Sequence, residues 1–249
     1  MKNLICIVAG DPESINTELI IKAWKKKKEF KNLDIFIIGN YSLIKRQIKK
    51  IGLNCNIKKI SNIYKKNFKK QLLIYDVPLK FNNPFKIKSK NKFKYIMSCL
   101  KLGIYLAKNK KVLGLINCSI NKQEIFGNKN IGITEFLANK EKVFGKEVML
   151  IYNKKLSVSP ITTHIRVKNI SKNISKKLIV NKLLTINKFF IKRFNFKPRI
   201  GLLGLNPHNY ELRTDSEEKR IIIPAIKRSK KHKILVEGPL SGDTAFVNF

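Results

Sequence analysis

The sequence is poor in histidine, acidic residues and cysteine. Its 249 residues include 3 His, 16 Asp plus Glu and 4 Cys. The cysteines, Cys6, Cys55, Cys99 and Cys118, are widely spaced and form no CxxC pair, which argues against a disulfide framework or a zinc knuckle. Free thiols at such spacings fit a reducing compartment, so we expect a cytoplasmic protein.

Long hydrophobic runs are also absent. The first apolar run, Leu4–Ala9, is too short for a signal peptide or a membrane span, and no later run is longer. The sequence also contains no GxGxxG and no GK[ST]. Gly10-Asp11-Pro12-Glu13 is therefore only a weak indication of a phosphate loop. We expect no membrane partner.

Positive charge, in contrast, is abundant. The chain has 53 Lys plus Arg and a formal net charge of +37. One interpretation is a basic protein that binds nucleic acid. However, the lysines are spread along the whole chain and are accompanied by Ile and Asn in every segment, as an AT-rich genome would produce. This even distribution favours a compositional bias, and we expect no nucleic-acid partner.

Apolar runs of strand character alternate with segments of helical spacing. This alternation predicts an α/β fold with a doubly wound, mostly parallel sheet. The predicted strands are Leu4–Ala9, Leu33–Ile38, Leu72–Val77, Val112–Ile116, Val148–Tyr152, Leu156–Thr162 and Arg199–Leu205, the fifth and sixth forming a hairpin. The predicted helices are Thr17–Lys26 with Asn16 as N-cap, Tyr41–Ile51, one containing Phe93 to Ala107, Ser175–Lys192, and one that a capping box at Thr214–Glu217 begins. We divide the chain into an N-terminal lobe, residues 1–110, and a metal, substrate and dimerisation lobe, residues 111–249.

Two of the three histidines directly follow predicted strands. His208 lies just after Asn206-Pro207, with Glu211 three residues further on, and His164 follows Thr162-Thr163. Side chains at the carboxyl ends of strands face the crevice in which α/β enzymes bind their ligands. Two imidazoles and a carboxylate could share a divalent cation. Spacing alone leaves this possibility open, because no local ligand pattern links residues so far apart.

These segments resemble a known family. Leu205-Asn206-Pro207-His208 with Glu211, Thr162-Thr163-His164, Gly238-Pro239-Leu240 and Asp243-Thr244 are similar to segments of the 4-hydroxythreonine-4-phosphate dehydrogenases of pyridoxal 5′-phosphate (vitamin B6) biosynthesis. The resemblance runs from about residue 4 to Phe249 and is densest between Val112 and Thr244. It implies a two-lobed architecture like that of isocitrate and isopropylmalate dehydrogenases, and a homodimer.

The resemblance also implies an activity and a site. The substrate would be 4-phosphooxy-L-threonine, a small phosphorylated hydroxy amino acid, oxidised with NAD or NADP. His164 and His208 match the family's ligands for a divalent metal (Zn, Mg or Co). Thr134 matches a residue that contacts the substrate. Lys122 matches a lysine that could bind phosphate, and Asp243 is the candidate for an orienting or acid–base role. Ile133 stands where the family usually has a histidine that also contacts the substrate, so one polar contact would be lost.

The end of the sequence raises a further expectation. The family's third histidine ligand lies in a Tyr-His-Asp segment beyond the position of Phe249, and most of its cofactor-binding region lies there too. His232, between lysines, is expected to be solvated. We therefore expect weak turnover and poor solubility. A decaying inactive copy of the enzyme stays an alternative, as does the basic nucleic-acid-binding protein.

Overall fold

The computed structural model describes residues 3–30, 32–64, 70–126, 132–143, 145–206 and 213–247. The chain divides into two compact units, residues 1–128 and 129–249. The lobe boundary predicted after residue 110 lies before this division. The strand that begins at Gly114 pairs with the first strand of the chain and so belongs to the first unit.

The first unit alternates strands and helices as predicted. Its elements are β1 (Leu4–Val8), α1 (Asn16–Lys25), a 3₁₀ turn (Lys27–Phe30), β2 (Asp34–Gly39), α2 (Tyr41–Lys50), β3 (Ile57–Ile60), β4 (Leu72–Asp76), α3 (Ser89–Lys108), β5 (Gly114–Asn117) and α4 (Lys122–Phe126). The five strands form one sheet in the order β3-β4-β2-β1-β5, and every pair is parallel. This confirms the predicted parallel α/β fold.

Helices cover both faces of this sheet. Ile7 and Ile37 point to one face, where they join a buried cluster with residues of α1 and α2. Val8 and Ile38 point to the other face, where α3 approaches so closely that Val8 Cγ2 lies 3.0 Å from the position a Cβ of Gly103 would take. Strands buried on both faces need apolar side chains at every position, which explains the continuous apolar runs in the sequence.

The second unit contains fewer strands. Its elements are α5 (Ile133–Lys140), a 3₁₀ turn (Val167–Asn169), α6 (Ile170–Asn173), α7 (Lys176–Phe194), β6 (Ile200–Leu203), a π-helical segment (Glu218–Ile222), α8 (Ile223–Lys231) and β7 (Val236–Leu240). Strands β6 and β7 pair in parallel. Ile179 and Leu183 of α7 and Ala225 of α8 pack with both strands in a second buried cluster.

Three predicted details of local structure are wrong. The two strands predicted over residues 148–162 do not form, and the hairpin is reduced to one antiparallel bridge between Ile151 and Val158, with Ser157 bonding the backbone of Asn153 inside the turn. Asn16 does not cap α1, since its amide is used elsewhere. Glu217 precedes the π-helical segment without a capping hydrogen bond from its side chain.

Other details agree with the sequence. Ser175 caps α7 by accepting a hydrogen bond from the N–H of Leu178. The four cysteines are free thiols. Of the helices that the structure describes, none combines the length and the apolar character that crossing a bilayer requires.

Candidate active site

The loop after β1 is tied to the end of β5. The Asn16 amide donates to the carbonyls of Ala9 and Ser119 at 3.0 and 2.8 Å, and the Ser119 hydroxyl donates back to Asn16 Oδ1 at 2.8 Å. The Ser119 carbonyl also accepts from Asp11 N–H. It lies 2.5 Å from the position a Cβ of Gly10 would take, so only glycine fits there. Carbonyl oxygens and an internally bonded N–H do not suit a dinucleotide phosphate, and this loop does not fit that role.

A buried ion cluster stabilises the same unit. Lys92 of α3 is 4% exposed, and its Nζ lies 2.7 Å from Glu13 Oε2 and 2.5 Å from Glu124 Oε2. The bond from Lys92 lowers the pKa of Glu13. Burial by itself would lower the pKa of Lys92, but the two carboxylates outweigh it and raise that pKa. Each charge in this cluster has a partner.

The second unit has a different arrangement around His164. Thr163 donates a hydrogen bond of 2.6 Å to Glu135 Oε1 on the first turn of α5. The other oxygen, Oε2, is buried and has no hydrogen-bond partner in the part of the chain that the structure describes. Gly132 leaves a small space between Glu135 and His164. The Glu135 carboxyl carbon and His164 Cδ2 each lie 3.3 Å from the position a Cβ of Gly132 would take.

The carboxylate of Glu135 is held in its charged form. Burial raises the pKa of Glu135, but the Thr163 hydroxyl, backbone N–H groups and the nearby His164 together outweigh burial and lower it. An anionic oxygen beside an exposed imidazole is a nitrogen and oxygen donor set of the kind that divalent cations bind. The residues present therefore fit a metal ion. Within the described ranges, however, no three His, Cys, Asp or Glu side chains are grouped as a complete ligand set.

Lys182 of α7 is buried near these groups. It is 6% exposed, and its Nζ donates to the Glu147 carbonyl at 3.1 Å. Burial lowers the pKa of Lys182, although the carboxylates of Glu147 and Glu135 act against this. Glu147 Oε2, like Glu135 Oε2, is buried without a hydrogen-bond partner. The charges in this unit are thus incompletely paired.

Glu218 holds the chain at the end of β6. It is 3% exposed, and its Oε1 accepts the N–H groups of Leu205 at 2.8 Å and Asn206 at 3.0 Å. These two residues immediately precede Pro207 and His208 in the sequence. Sequence analysis missed both Glu218 and Glu135. The available signal was a carboxylate at a buried helical spacing, four residues before Ile222 in the case of Glu218.

The other predicted site residues are located as follows. Lys122 is exposed at the start of α4 in the first unit, Thr134 is exposed in the first turn of α5, and Asp243 is exposed after β7. His232 is exposed at the C-cap of α8, as expected for a solvated side chain. His208 and Glu211 lie outside the described residues, so the predicted pairing of His164 with His208 stays a prediction.

A parallel sheet covered by helices, together with a charged carboxylate on α5 and a nearby exposed imidazole in the second unit, is typical of an α/β enzyme. Comparison with known proteins narrows this class. The family model described as pyridoxal phosphate biosynthetic protein PdxA matches residues 31–249. The chain belongs to this family.

Individual relatives agree with the family match. A 4-hydroxythreonine-4-phosphate dehydrogenase from Sulfurihydrogenibium sp. is 35% identical over 97% of this chain and 75% of its own length. A D-threonate 4-phosphate dehydrogenase from Salmonella typhimurium is 29% identical over 98% of this chain and 76% of its own length. The crystal structure of a 4-hydroxythreonine-4-phosphate dehydrogenase from Burkholderia phymatum superimposes with a TM-score of 0.85 at 25% identity, covering 100% of this chain and 77% of that one. The predicted family, fold class and dehydrogenase class are thereby confirmed.

Proposed function

We propose that the protein oxidises the secondary alcohol of 4-phosphooxy-L-threonine in vitamin B6 biosynthesis. The observation that carries this proposal is the match over residues 31–249 to a family whose relatives include a 4-hydroxythreonine-4-phosphate dehydrogenase at 35% identity. Family membership supports this enzyme over the nucleic-acid-binding alternative. A dehydrogenase needs a hydride acceptor, and a nicotinamide cofactor, NAD or NADP, supplies that chemistry when bound.

We further propose that His164 and His208 hold a divalent metal, zinc, magnesium or cobalt. Such an ion would polarise the substrate hydroxyl. The exposed imidazole of His164 and the anionic carboxylate of Glu135 support this assignment. The loss of the hydroxyl proton during oxidation makes a nearby acceptor useful, and Asp243, an exposed carboxylate after β7, is our candidate for that acid–base or orienting role.

Two further residues are proposed to bind the substrate. Thr134 has an exposed side chain in the first turn of α5, where a hydroxyl can bond a substrate oxygen. Lys122 would bind the phosphate as a point charge, consistent with its exposure. Ile133 offers no hydrogen bond where the family usually has histidine, so we expect weaker substrate binding than in relatives that have histidine there.

Exposed aromatic side chains support the proposed assembly, and the cysteines support the proposed location. In the second unit, the Tyr152 and Phe194 rings stack at 5.3 Å between centroids, and Phe196 nearby is 52% exposed. Exposed aromatic clusters of this kind mark protein interfaces, which supports a homodimer. Free thiols at all four cysteines support a cytoplasmic location.

D-threonate 4-phosphate is the second candidate substrate, because a relative from Salmonella typhimurium is named as its dehydrogenase. Absorbance of the reduced nicotinamide distinguishes the two. Purified protein is assayed with each substrate, with NAD and with NADP, and with added zinc, magnesium or cobalt. We expect higher kcat/KM on 4-phosphooxy-L-threonine and a loss of about 100-fold or more in His164→Ala. Equal rates in the parent and His164→Ala would refute the metal assignment, and a preference for D-threonate 4-phosphate would refute the substrate.

A further inference from the structure

One oxygen atom of Glu135 is buried, and no donor among the described residues meets it with hydrogen-bond geometry. The backbone N–H groups of Gly132 and Glu135 lower the pKa of this carboxyl without reaching such geometry at that oxygen. The buried atom is Oε2, whereas Oε1 accepts the Thr163 hydroxyl at 2.6 Å. A buried, charged oxygen without a donor destabilises a protein, because it has lost its hydrogen bonds to water and gained none in return. A donor that reaches Oε2 in the working protein would remove this penalty.

The His164 ring lies close to this carboxylate. Its Cδ2 atom and the Glu135 carboxyl carbon are both 3.3 Å from the point that a Gly132 Cβ would occupy, and that point is also in contact with Oε2. The carboxylate and one edge of the ring thus border the same small space. Rotation of the ring by half a turn about χ2 exchanges Cδ2 for Nδ1, and this torsion has a broad, roughly two-fold preference. The rotated ring would direct Nδ1–H toward Oε2.

The backbone around His164 is adapted to this arrangement. His164 has a φ of 57°, in the left-handed region that is unfavourable for residues other than glycine. Thr163, its neighbour, bonds the same carboxylate that borders the ring. Glu135 therefore contacts the residue directly before His164, whose backbone helps to set the orientation of the His164 ring.

We infer that Glu135 is a positioning residue for His164: its Oε2 accepts Nδ1–H, so that the ring presents the lone pair of Nε2 outward. A carboxylate that fixes the tautomer and orientation of a histidine also increases the basicity of the nitrogen that binds a metal. The inference rests on the proposed function only in assigning that lone pair to a metal ion.

Lys182 is the competing donor for Oε2. It is buried near Glu135, and its hydrogen bond to the Glu147 carbonyl uses one of its three N–H groups. If Lys182 satisfied Oε2, replacing the lysine would disturb Glu135 while replacing Glu135 would leave the His164 tautomer unchanged. The two possibilities therefore give opposite results in a pair of variants.

Nuclear magnetic resonance of the ring nitrogens tests the inference without metal or substrate. The chain has 3 histidines, so the spectrum is simple, and the signal lost in His164→Gln identifies His164. At mildly alkaline pH we expect the parent to hold His164 as the Nδ1–H tautomer. Glu135→Gln should move it toward the Nε2–H form that free imidazole prefers, and Lys182→Met should leave it unchanged.

The control variant is Glu141→Gln, which removes a negative charge at the other end of α5. It should not change the tautomer. Backbone spectra establish that each variant is folded, and Glu135→Asp, which keeps the charge, should partly restore the Nδ1–H form. An Nε2–H tautomer in the parent, or the same tautomer in the parent and Glu135→Gln, would overturn the inference.

Zinc titration of the same variants separates this inference from the proposed function. We expect Glu135→Gln to weaken zinc binding by about 10- to 100-fold and Glu141→Gln by no more than about two-fold. If the tautomer depends on Glu135 but zinc binding does not depend on His164, the positioning role stands and the proposed metal site is wrong. If zinc binding depends on His164 and the tautomer is the same with and without Glu135, the proposed metal site stands and the positioning role is wrong.

Discussion

Among the residues that the structure describes, each unit of the molecule contains one buried lysine, and the two lysines differ in their partners. Lys92 bonds two carboxylates at 2.7 and 2.5 Å, and its pKa is raised. Lys182 bonds a backbone carbonyl, its pKa is lowered, and two nearby carboxylates each keep a buried oxygen without a hydrogen bond. Unpaired buried charge is a cost that proteins accept mainly at functional sites. The comparison therefore favours a stabilising role for the first cluster and supports the proposal that ligands bind near the second.

Removing the paired lysine should have the largest effect. Lys92→Met leaves Glu13 and Glu124 without their cation, and we expect unfolding free energy in urea to fall by about 2–3 kcal/mol. This is less than for a fully buried pair, because the Glu124 side chain is 42% exposed. The matched control is Lys90→Met, an exposed lysine of the same helix, which should change stability by no more than about 0.5 kcal/mol. Equal effects in the two variants would show that the cluster does not stabilise the fold.

Glu218 should have the next largest effect, and it sharpens the comparison within the second unit. Glu218→Ala removes the acceptor of two backbone N–H groups at the end of β6, and we expect a loss of about 2 kcal/mol by urea unfolding. Because this segment leads to His208, zinc affinity should fall as well. Glu217→Ala, at the adjacent and more exposed carboxylate, should cost no more than about 1 kcal/mol and leave zinc affinity unchanged. Zinc affinity in Glu218→Ala equal to that of the parent would remove the proposed link to the site.

The two lysines should respond oppositely to alkaline pH. A lowered pKa means that the unfolded chain binds more protons than the folded one, so the contribution of Lys182 becomes more favourable as pH rises toward its ordinary value of 10.5. A raised pKa means that the contribution of Lys92 is fully present below 10.5 and is lost as pH rises through the folded pKa. Stability is measured across this range for the parent, Lys182→Met and Lys92→Met. The unfolding free energy of the parent minus that of Lys182→Met should increase with pH. The unfolding free energy of the parent minus that of Lys92→Met should decrease above pH 10.5.

If the stability difference between parent and variant changed with pH in the same direction for both lysines, the comparison between the two clusters would be wrong. Because the chain has 53 Lys plus Arg, its total stability changes with alkaline pH for many reasons. Only the difference between parent and variant at each pH isolates one lysine. These measurements are therefore made side by side in the same buffers.

The smallest expected effect concerns Thr163. Thr163→Val keeps the shape of the side chain but removes the hydrogen bond to Glu135, and we expect a loss of about 1 kcal/mol in thermal or urea unfolding. The control is Thr185→Val on α7, where the hydroxyl donates to backbone carbonyls instead of a carboxylate. Thr163→Val should also weaken zinc binding, whereas Thr185→Val should not. An unchanged zinc affinity in Thr163→Val would place Thr163 outside the support of His164.

The parallel sheet could be predicted from the sequence because its central strands are apolar throughout. Strand β3 was missed because Lys58 and Lys59 interrupt its apolar character, and both are exposed at an edge of the sheet. The hairpin predicted over residues 148–162 forms only as one bridge between Ile151 and Val158. Alternating patterns indicate a strand but do not reveal which group will pair with its backbone.

The candidate site could be predicted only in part. Resemblance identified His164 and Thr134 but not the carboxylates that support the site. Glu135 and Thr163 are far apart in the sequence, and no local pattern links them. Lys182 left a weak signal, since it lies beside Leu183 in the buried stripe of α7, where lysine is unexpected. Charges at buried helical positions would have been the feature to examine.

The most direct test of the account is the position of a bound metal in crystals of the protein soaked with zinc. Anomalous scattering at the zinc edge locates the ion without assumptions about its ligands. We expect one strong peak about 2.0–2.1 Å from a ring nitrogen of His164 and of His208, with Glu135 bonded to the other ring nitrogen of His164. A peak at His232 or at the ion cluster around Lys92, with none at His164, would contradict the assignment of the metal to His164 and His208.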